Sequence, residues 1–252
     1  MRQLLSAFVL CLFATTAIAE PTEITVRVIS KGAKFVGTSM GGVSIQLVDS
    51  ETGEVLAQGV TSGSTGDTNR IMRTEHSRNG TLSTDGAAKF DAQINIETPR
   101  LVRLEARGPI AQAQSFGMAT ATQWVVPGKH VTGGDGWVVE LPGLVVDVLA
   151  PPAHVRRSLG AEIELNANVT MMCGCPITPD GLWDARQFDV EATILHNGAK
   201  IDQIALEYAG QPSQFSVTYK PAQLGAYQVI VVAYQPTNGN TGLDRTTFIV
   251  VD

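Results

Sequence analysis

Two cysteines separated by a single glycine are the residues of this chain best placed to do chemistry. They stand in Met171-Met172-Cys173-Gly174-Cys175-Pro176. The third cysteine, Cys11, falls in an N-terminal stretch that reads as a secretory leader. Arg2 opens it, an apolar run covers Leu4 to Ala14, and Ala17-Ile18-Ala19 precedes Glu20, which predicts a signal peptide over 1–19 with cleavage near Ala19. Cys11 follows Leu10 in the middle of that run, so the pattern is not a lipid-anchor signal. The compartment beyond such a leader, periplasmic or external, is oxidising, and two thiols left there normally pair. Extended residues two apart lie about 6.6 Å apart at Cα, too far for the ~3.8 Å Cβ separation of a disulfide. A bridge therefore needs a turn, which Gly174 can supply and Pro176 can terminate. The small ring that results should be strained and easily reduced.

Two other chemistries stay open for the pair. Thiolates on one face, with Met171 in the same alternating register, offer the soft sulfur donors that suit Cu(I). The same pair could also cycle as a thiol-redox couple. Zinc fits less well, because its structural sites want four ligands and the histidines (His76, His130, His154, His196) are scattered singly. Alternation from Ala161 through Val169 carries Met171, Cys173 and Cys175 onto the core-facing side. The strand should end there, leaving the pair at the rim of its domain, open to a metal or a reductant. Trp183, just beyond, could shield it from water or simply fill the end of the domain.

Other strings carry less. Gly37-Thr38-Ser39-Met40-Gly41 matches a nucleophile-elbow pattern, but the real elbow needs a strand before the serine and a helix after it. Here strand-like Val43 to Val48 follows, so a glycine-rich loop is the reading. Met40, Met72, Met118, His76 and His130 read as scattered loop and core residues. With aromatics at only 6% of the chain, Trp124 and Trp137 read as core.

The elements that must position these residues are strands. Ile24, Val26 and Val28 form an alternating set, as do Val43, Ile45 and Leu47, and then Ala88 to Ile96. Thr52-Gly53 and Asp85-Gly86 supply turns. No window beyond the leader holds a sustained helical period. The chain reads as all-β, with two β-sandwich domains in tandem after the signal peptide. The first is expected over 20–149, with a long Gly/Ser/Thr/Asn-rich loop at 61–84. The second is expected over 150–252, with the boundary at Ala150-Pro151-Pro152. Loops as long as 61–84 are usually functional or mobile.

Within the second domain, Gly225-Ala226-Tyr227 leads through Val229–Ala233 to Asn238-Gly239-Asn240 and then Thr247-Phe248-Ile249-Val250. This resembles the final hairpin of bacterial immunoglobulin-like domains, with Gln235 where that family usually has Asp. The resemblance implies a sandwich fold and a corner role for Tyr227, whose hydroxyl would bond back to main chain. Gly42–Asp49 with Thr52-Gly53-Glu54-Val55 resembles the transthyretin-like or carboxypeptidase-regulatory sandwich. Both families are mostly accessory, and a fold by itself assigns no activity.

Charge narrows the partners. Eighteen basic side chains against 24 acidic ones, a net charge of −6, argue against nucleic acid and against anionic membrane surfaces. After the leader no apolar run approaches the ~18 residues of a membrane span, so no stable membrane insertion is expected. No assembled acid/base pair or phosphate loop is legible. The sequence therefore predicts a non-enzymatic exported accessory protein that binds another extracytoplasmic protein or a ligand. It needs no cofactor unless Cu(I) occupies Cys173, Cys175 and Met171.

Overall fold

A computed structural model describes residues 19–252, so the leader proposed for 1–19 lies almost wholly outside the described residues. Strand accounts for 55% of the protein and helix for 6%, so the architecture is all-β. The first sandwich holds β1 (Glu20–Ser30), β2 (Ser44–Asp49), β3 (Val55–Val60), β4 (Phe90–Ile96), β5 (Arg100–Gly108), β6 (Gly117–Val125) and β7 (Trp137–Leu141). One sheet runs β4-β1-β7, with β1 and β7 parallel, and faces a second of order β3-β2-β5-β6. Alternation builds the core between them: Ile24, Val26 and Val28 meet Ile45, Leu47, Val102 and Leu104. The β2–β3 turn is fastened by buried Asp49, whose Oδ1 accepts the Glu51 and Thr52 amides at 2.9 Å each.

The second sandwich comprises β8 (Leu144–Ala150), β9 (Val155–Ser158), β10 (Ile163–Met171), β11 (Asp189–His196), β12 (Ala199–Ala205), β13 (Glu207–Tyr208), β14 (Gln214–Tyr219), β15 (Gly225–Gln235) and β16 (Asn240–Val251). Its sheets run β13-β14-β10-β8 and β12-β11-β15-β16-β9, with β9 parallel to β16. Lettered in chain order, with β9 a second segment of the first strand, these are the ABED and GFC sheets of an immunoglobulin-like sandwich, the GFC sheet extended by β12 at one edge and β9 at the other. Two residues beyond Tyr227, where antibody domains place a bridging cysteine, this protein has fully buried Val229.

The boundary differs from the sequence expectation. β8 pairs with β10, so the chain enters the second sandwich at Pro142-Gly143 rather than at Ala150-Pro151-Pro152. The prolines instead mark the crossing from one sheet of that sandwich to the other, because a residue lacking an N–H suits the break between two ladders.

The segment 61–84 is tied down along its length. Ser62 and Ser64 bridge to Lys89 and Ala87. A five-residue helix, α1 (Thr68–Met72), starts at Asp67, whose side chain accepts the Arg70 amide at 2.6 Å. Its Ile71 joins a small core with Phe35, Ala87 and Ala88. Asp135 accepts the Leu82 and Ser83 amides at 2.7 and 2.8 Å. Arg27 lies buried beneath this cover and donates to the carbonyls of Ala87 and Ala88.

Tyr227 occupies the corner its resemblance implied. Its hydroxyl donates to the Gln223 carbonyl at 3.0 Å and accepts the Gln223 amide at 3.2 Å. The ring stacks on Phe248 at 4.9 Å. Tyr227→Phe keeps the ring and strands both main-chain groups, so it is expected to cost about 1–2 kcal/mol in urea unfolding. A loss within experimental error would show that the corner bond contributes nothing net.

Candidate functional site at the domain seam

The cysteine turn is built by local chain chemistry. β10 buries every second side chain from Ile163 to Met171 and then stops. The Gly174 amide donates to the Met171 carbonyl at 2.8 Å, and the Met171 amide donates to the Cys175 carbonyl at 3.2 Å. Gly174 is left-handed at φ 74°, and Thr170 bridges to Pro176 beyond the turn. This is the three-residue hairpin with a glycine bulge, which depends on a residue free to adopt positive φ. It draws the Cys173 and Cys175 Cα atoms to 5.4 Å, which brings the two sulfurs together as a close pair.

The turn sits at the rim of the second sandwich, but the rim is closed. Cys173 is 1% and Cys175 5% exposed. The open access expected from sequence fails because the first domain covers that end. A tight turn, Ser30 to Ala33, projects from the end of β1 with Gly32 left-handed at φ 67°. Its Ala33 is buried in the core of the second sandwich, in the same cluster as both cysteines, Met171 and Trp183.

Two loops grip the carbonyls of this turn. Trp183 Nε1 donates to the Gly32 carbonyl at 3.0 Å. Asn240 Nδ2 donates to the Lys31 carbonyl at 3.0 Å, while its Oδ1 accepts the Gly143 amide. Gln235 Oε1 accepts from the Asn238 and Asn240 amide groups, so a neutral acceptor serves where the resembling family carries Asp. Trp183 thus seals the sandwich end against the first domain.

Four further sulfur or apolar features complete the seam. Met171 faces the second core, whereas its neighbour Met172 faces the first. β8 divides likewise, Leu144 and Val146 into one core and Val145 into the other. From the first domain, Met40 packs on the cysteine turn: a Cβ added at Gly174 would lie 2.6 Å from its Sδ. Sequence reasoning assigned Met40 to scattered loop and core residues, read Asn240 only as part of the resembling hairpin, and gave Gly32 and Ala33 no role. No local signal marks them, because each matters only through a contact with the other domain.

Beside the seam, Asp184 accepts from the Arg186 side chain and from the Arg186 amide. These bonds hold its carboxyl at a pKa of about 2, below the ordinary 3.8. The folded carboxylate keeps its charge to lower pH than the unfolded chain does. Its stabilisation is therefore complete above about pH 4. It is lost as pH falls toward 2. Thermal melts of Asp184→Asn over that window should show a flatter acid decline than the parent, and superimposable curves would contradict it.

Other sequence candidates do not assemble. Ser39 is exposed within a 3-10 turn (Thr38–Met40), with no strand leading directly into it and a strand, not a helix, after it, so the elbow geometry is missing. Met72 ends α1, and His76 lies beyond it with Nε2 3.3 Å from the Ile71 carbonyl. His130 Nδ1 accepts the Glu23 amide, and His196 Nε2 lies 2.9 Å from the Leu224 carbonyl. Among the described residues no three His, Cys, Asp or Glu side chains gather at metal-binding spacing. No described helix is long and apolar enough to cross a membrane. Trp137 is buried, but Trp124 is 59% exposed on β6, which overturns its assignment to the core. Edge strands alternate as cleanly as inner ones, so alternation alone did not reveal which face of β6 is covered.

No protein-family model matches the chain, and no curated protein matches it. Solved structures are similar at low level. An engineered protein aligns at TM-score 0.33 and 16% identity, over 51% of this chain and 24% of its own, so the chain spans about a quarter of its length. CopC from Methylosinus trichosporium OB3b aligns at TM-score 0.30 and 17% identity, over 43% and 92%. The fibronectin(III)-like modules of Clostridium thermocellum CbhA align at 0.29 and 11%, over 82% and 77%. At such scores these likenesses carry no argument, and the immunoglobulin-like assignment rests on strand order and the Tyr227 corner.

Proposed function

We propose that this is an exported, non-enzymatic accessory protein, periplasmic or secreted, in which the cysteine turn is a structural clasp between two domains. The observation that supports this most directly is the use of the B–C and F–G loops of the second sandwich. In immunoglobulin variable domains loops at that end form the binding site. Here Trp183 and Asn240 spend them on the Ser30–Ala33 turn. Binding of a partner protein then falls to sheet faces and edges. The bacterial immunoglobulin-like identity of the second domain, and the transthyretin-like or carboxypeptidase-regulatory identity of the first, belong to the same proposal. Export with processing at Ala19, followed by N-terminal sequencing, should find Glu20 first. Turnover of any ester, peptide or glycoside that a point substitution abolishes would overturn the accessory reading.

The copper or thiol-redox reading keeps one favourable observation, the sulfur of Met40 packed on a turn that already holds Met171, Met172, Cys173 and Cys175. It requires both reduction and opening of the seam, since both cysteines are buried. Mass spectrometry of unreduced protein after alkylation should find a bridged pair, and two free, readily alkylated thiols would end the disulfide reading. Anaerobic titration of reduced protein with Cu(I) decides the rival. Stoichiometric binding lost in Cys173→Ser would put copper first, and no binding would leave the clasp.

A further inference from the structure

The open edges of both sandwiches differ in how they avoid pairing with other chains. An edge strand presents unpaired N–H and C=O groups, and natural proteins blunt it with charge, shortness or cover. Most edges here follow that practice. β4 carries Asp91, β7 Glu140, β8 Asp147, β9 Arg156 and Arg157, and β12 Lys200 and Asp202. β13 is two residues long, and β3, though uncharged, has only six. β6 is the exception: nine residues, Gly117–Val125, with no charged side chain. Its backbone pairs with β5 along the whole strand, and among the described residues no other hydrogen bond reaches it.

The outward face of this strand and the residues flanking it also expose large apolar side chains. Phe116, Met118, Trp124 and Val126 are 52, 56, 59 and 41% exposed, with Thr120 and Thr122 between them. The order of these side chains is self-complementary. If β6 pairs antiparallel with a second β6 about a two-fold axis at Ala121, Phe116 stands opposite Val126 and Met118 opposite Trp124. Thr120 then stands opposite Thr122. Residues directly opposite across an antiparallel pair share a face, so every apolar side chain meets an apolar one. A thioether against an indole and a threonine pair are both favourable cross-strand neighbours. No charge meets a like charge across the axis.

We infer that β6 is the interface of a homodimer, in which two copies of the β3-β2-β5-β6 sheet join edge to edge into one eight-stranded sheet. The symmetry is isologous, the same strand serving both copies, so the assembly closes at two. This surface lies on the first domain, with only its Phe116–Gly117 end beside Met172 and other residues of the seam.

Sedimentation equilibrium of the mature chain across a wide concentration range tests the inference. A reversible monomer–dimer equilibrium is expected. Thr120→Lys with Thr122→Lys sets lysine against lysine twice across the two-fold and should weaken the dimer by at least about tenfold. Both positions are exposed, so circular dichroism should still show the parent fold, with at most a small change in melting because Thr122 stands opposite Arg103 and Thr120 opposite Glu105 within the sheet. Thr120→Lys with Thr122→Glu carries as many substitutions but sets opposite charges face to face, and its dimer should persist. A folded parent that stays monomeric throughout would overturn the proposal, as would a dimer indifferent to the double lysine variant. Loss of the dimer in both variants would overturn the register.

Discussion

Trp183→Ala is expected to lower the stability of the second sandwich by about 3–5 kcal/mol, the range for emptying a large aromatic from a packed core. The indole is 7% exposed and lies in the same cluster as Cys173, Cys175 and Ala33. Its removal opens the end of that core and also strips the Gly32 carbonyl of its donor. Trp183→Phe retains most of the volume and loses only the bond between domains, so about 1 kcal/mol is expected from it. Urea unfolding followed by far-ultraviolet circular dichroism gives both values. Hydrogen exchange adds a local readout, because residues 30–33 and 172–175 should lose protection in the alanine variant ahead of the strands. A loss of under about 0.5 kcal/mol, the level of an ordinary surface substitution, would show that the seam does not depend on Trp183.

Gly174→Ala is the second large effect, expected at about 2–5 kcal/mol. Roughly 1–2 kcal/mol comes from placing an L side chain at positive φ, and about 1–3 from overpacking. The new methyl would meet Met40 Sδ at 2.6 Å, across the seam. The two parts separate in a double-mutant cycle. Met40→Ala by itself should destabilise through its cavity, yet in the Gly174→Ala background it should recover the overpacking part and leave the backbone part. Coupling near zero would show that Met40 yields freely and that only the turn conformation matters. Both substitutions leave the two cysteines in place, so alkylation of the unreduced protein also reports whether the clasp survives.

Much of the fold was legible because it is written in short-range patterns. β4 falls within the alternation from Ala88 to Ile96, and β10 within the one that starts at Ala161 and carries Met171. A period of two needs only neighbouring residues to be read, and burial of one face then follows. The need for a turn between Cys173 and Cys175 was likewise a matter of distances within three residues. The helix α1 was missed because five residues are too few to show a helical period, and its start depends on one Asp67 cap. Pro151-Pro152 suggested a linker because proline interrupts ladders in linkers and sheet crossings alike. Only the pairing of β8 with β10 distinguishes the two.

What the sequence by itself determined is the all-β class, the two sandwiches, the Tyr227 corner and the glycine that lets two cysteines meet. Each follows from alternation, turn chemistry or the φ freedom of one residue. Only the tertiary structure decided that the cysteine turn is sealed, that Trp183 seals it, and that Trp124 lies in the open. The bond from Trp183 to Gly32 joins residues 151 positions apart, and the one from Asn240 to Lys31 joins residues 209 apart. Nothing in either neighbourhood encodes the other. Exposure of Trp124 depends in the same way on which face of β6 the opposing sheet covers, a matter of how the two sheets pack rather than of strand composition. Local chemistry makes the pieces, and their burial is settled by which distant piece comes to rest against them.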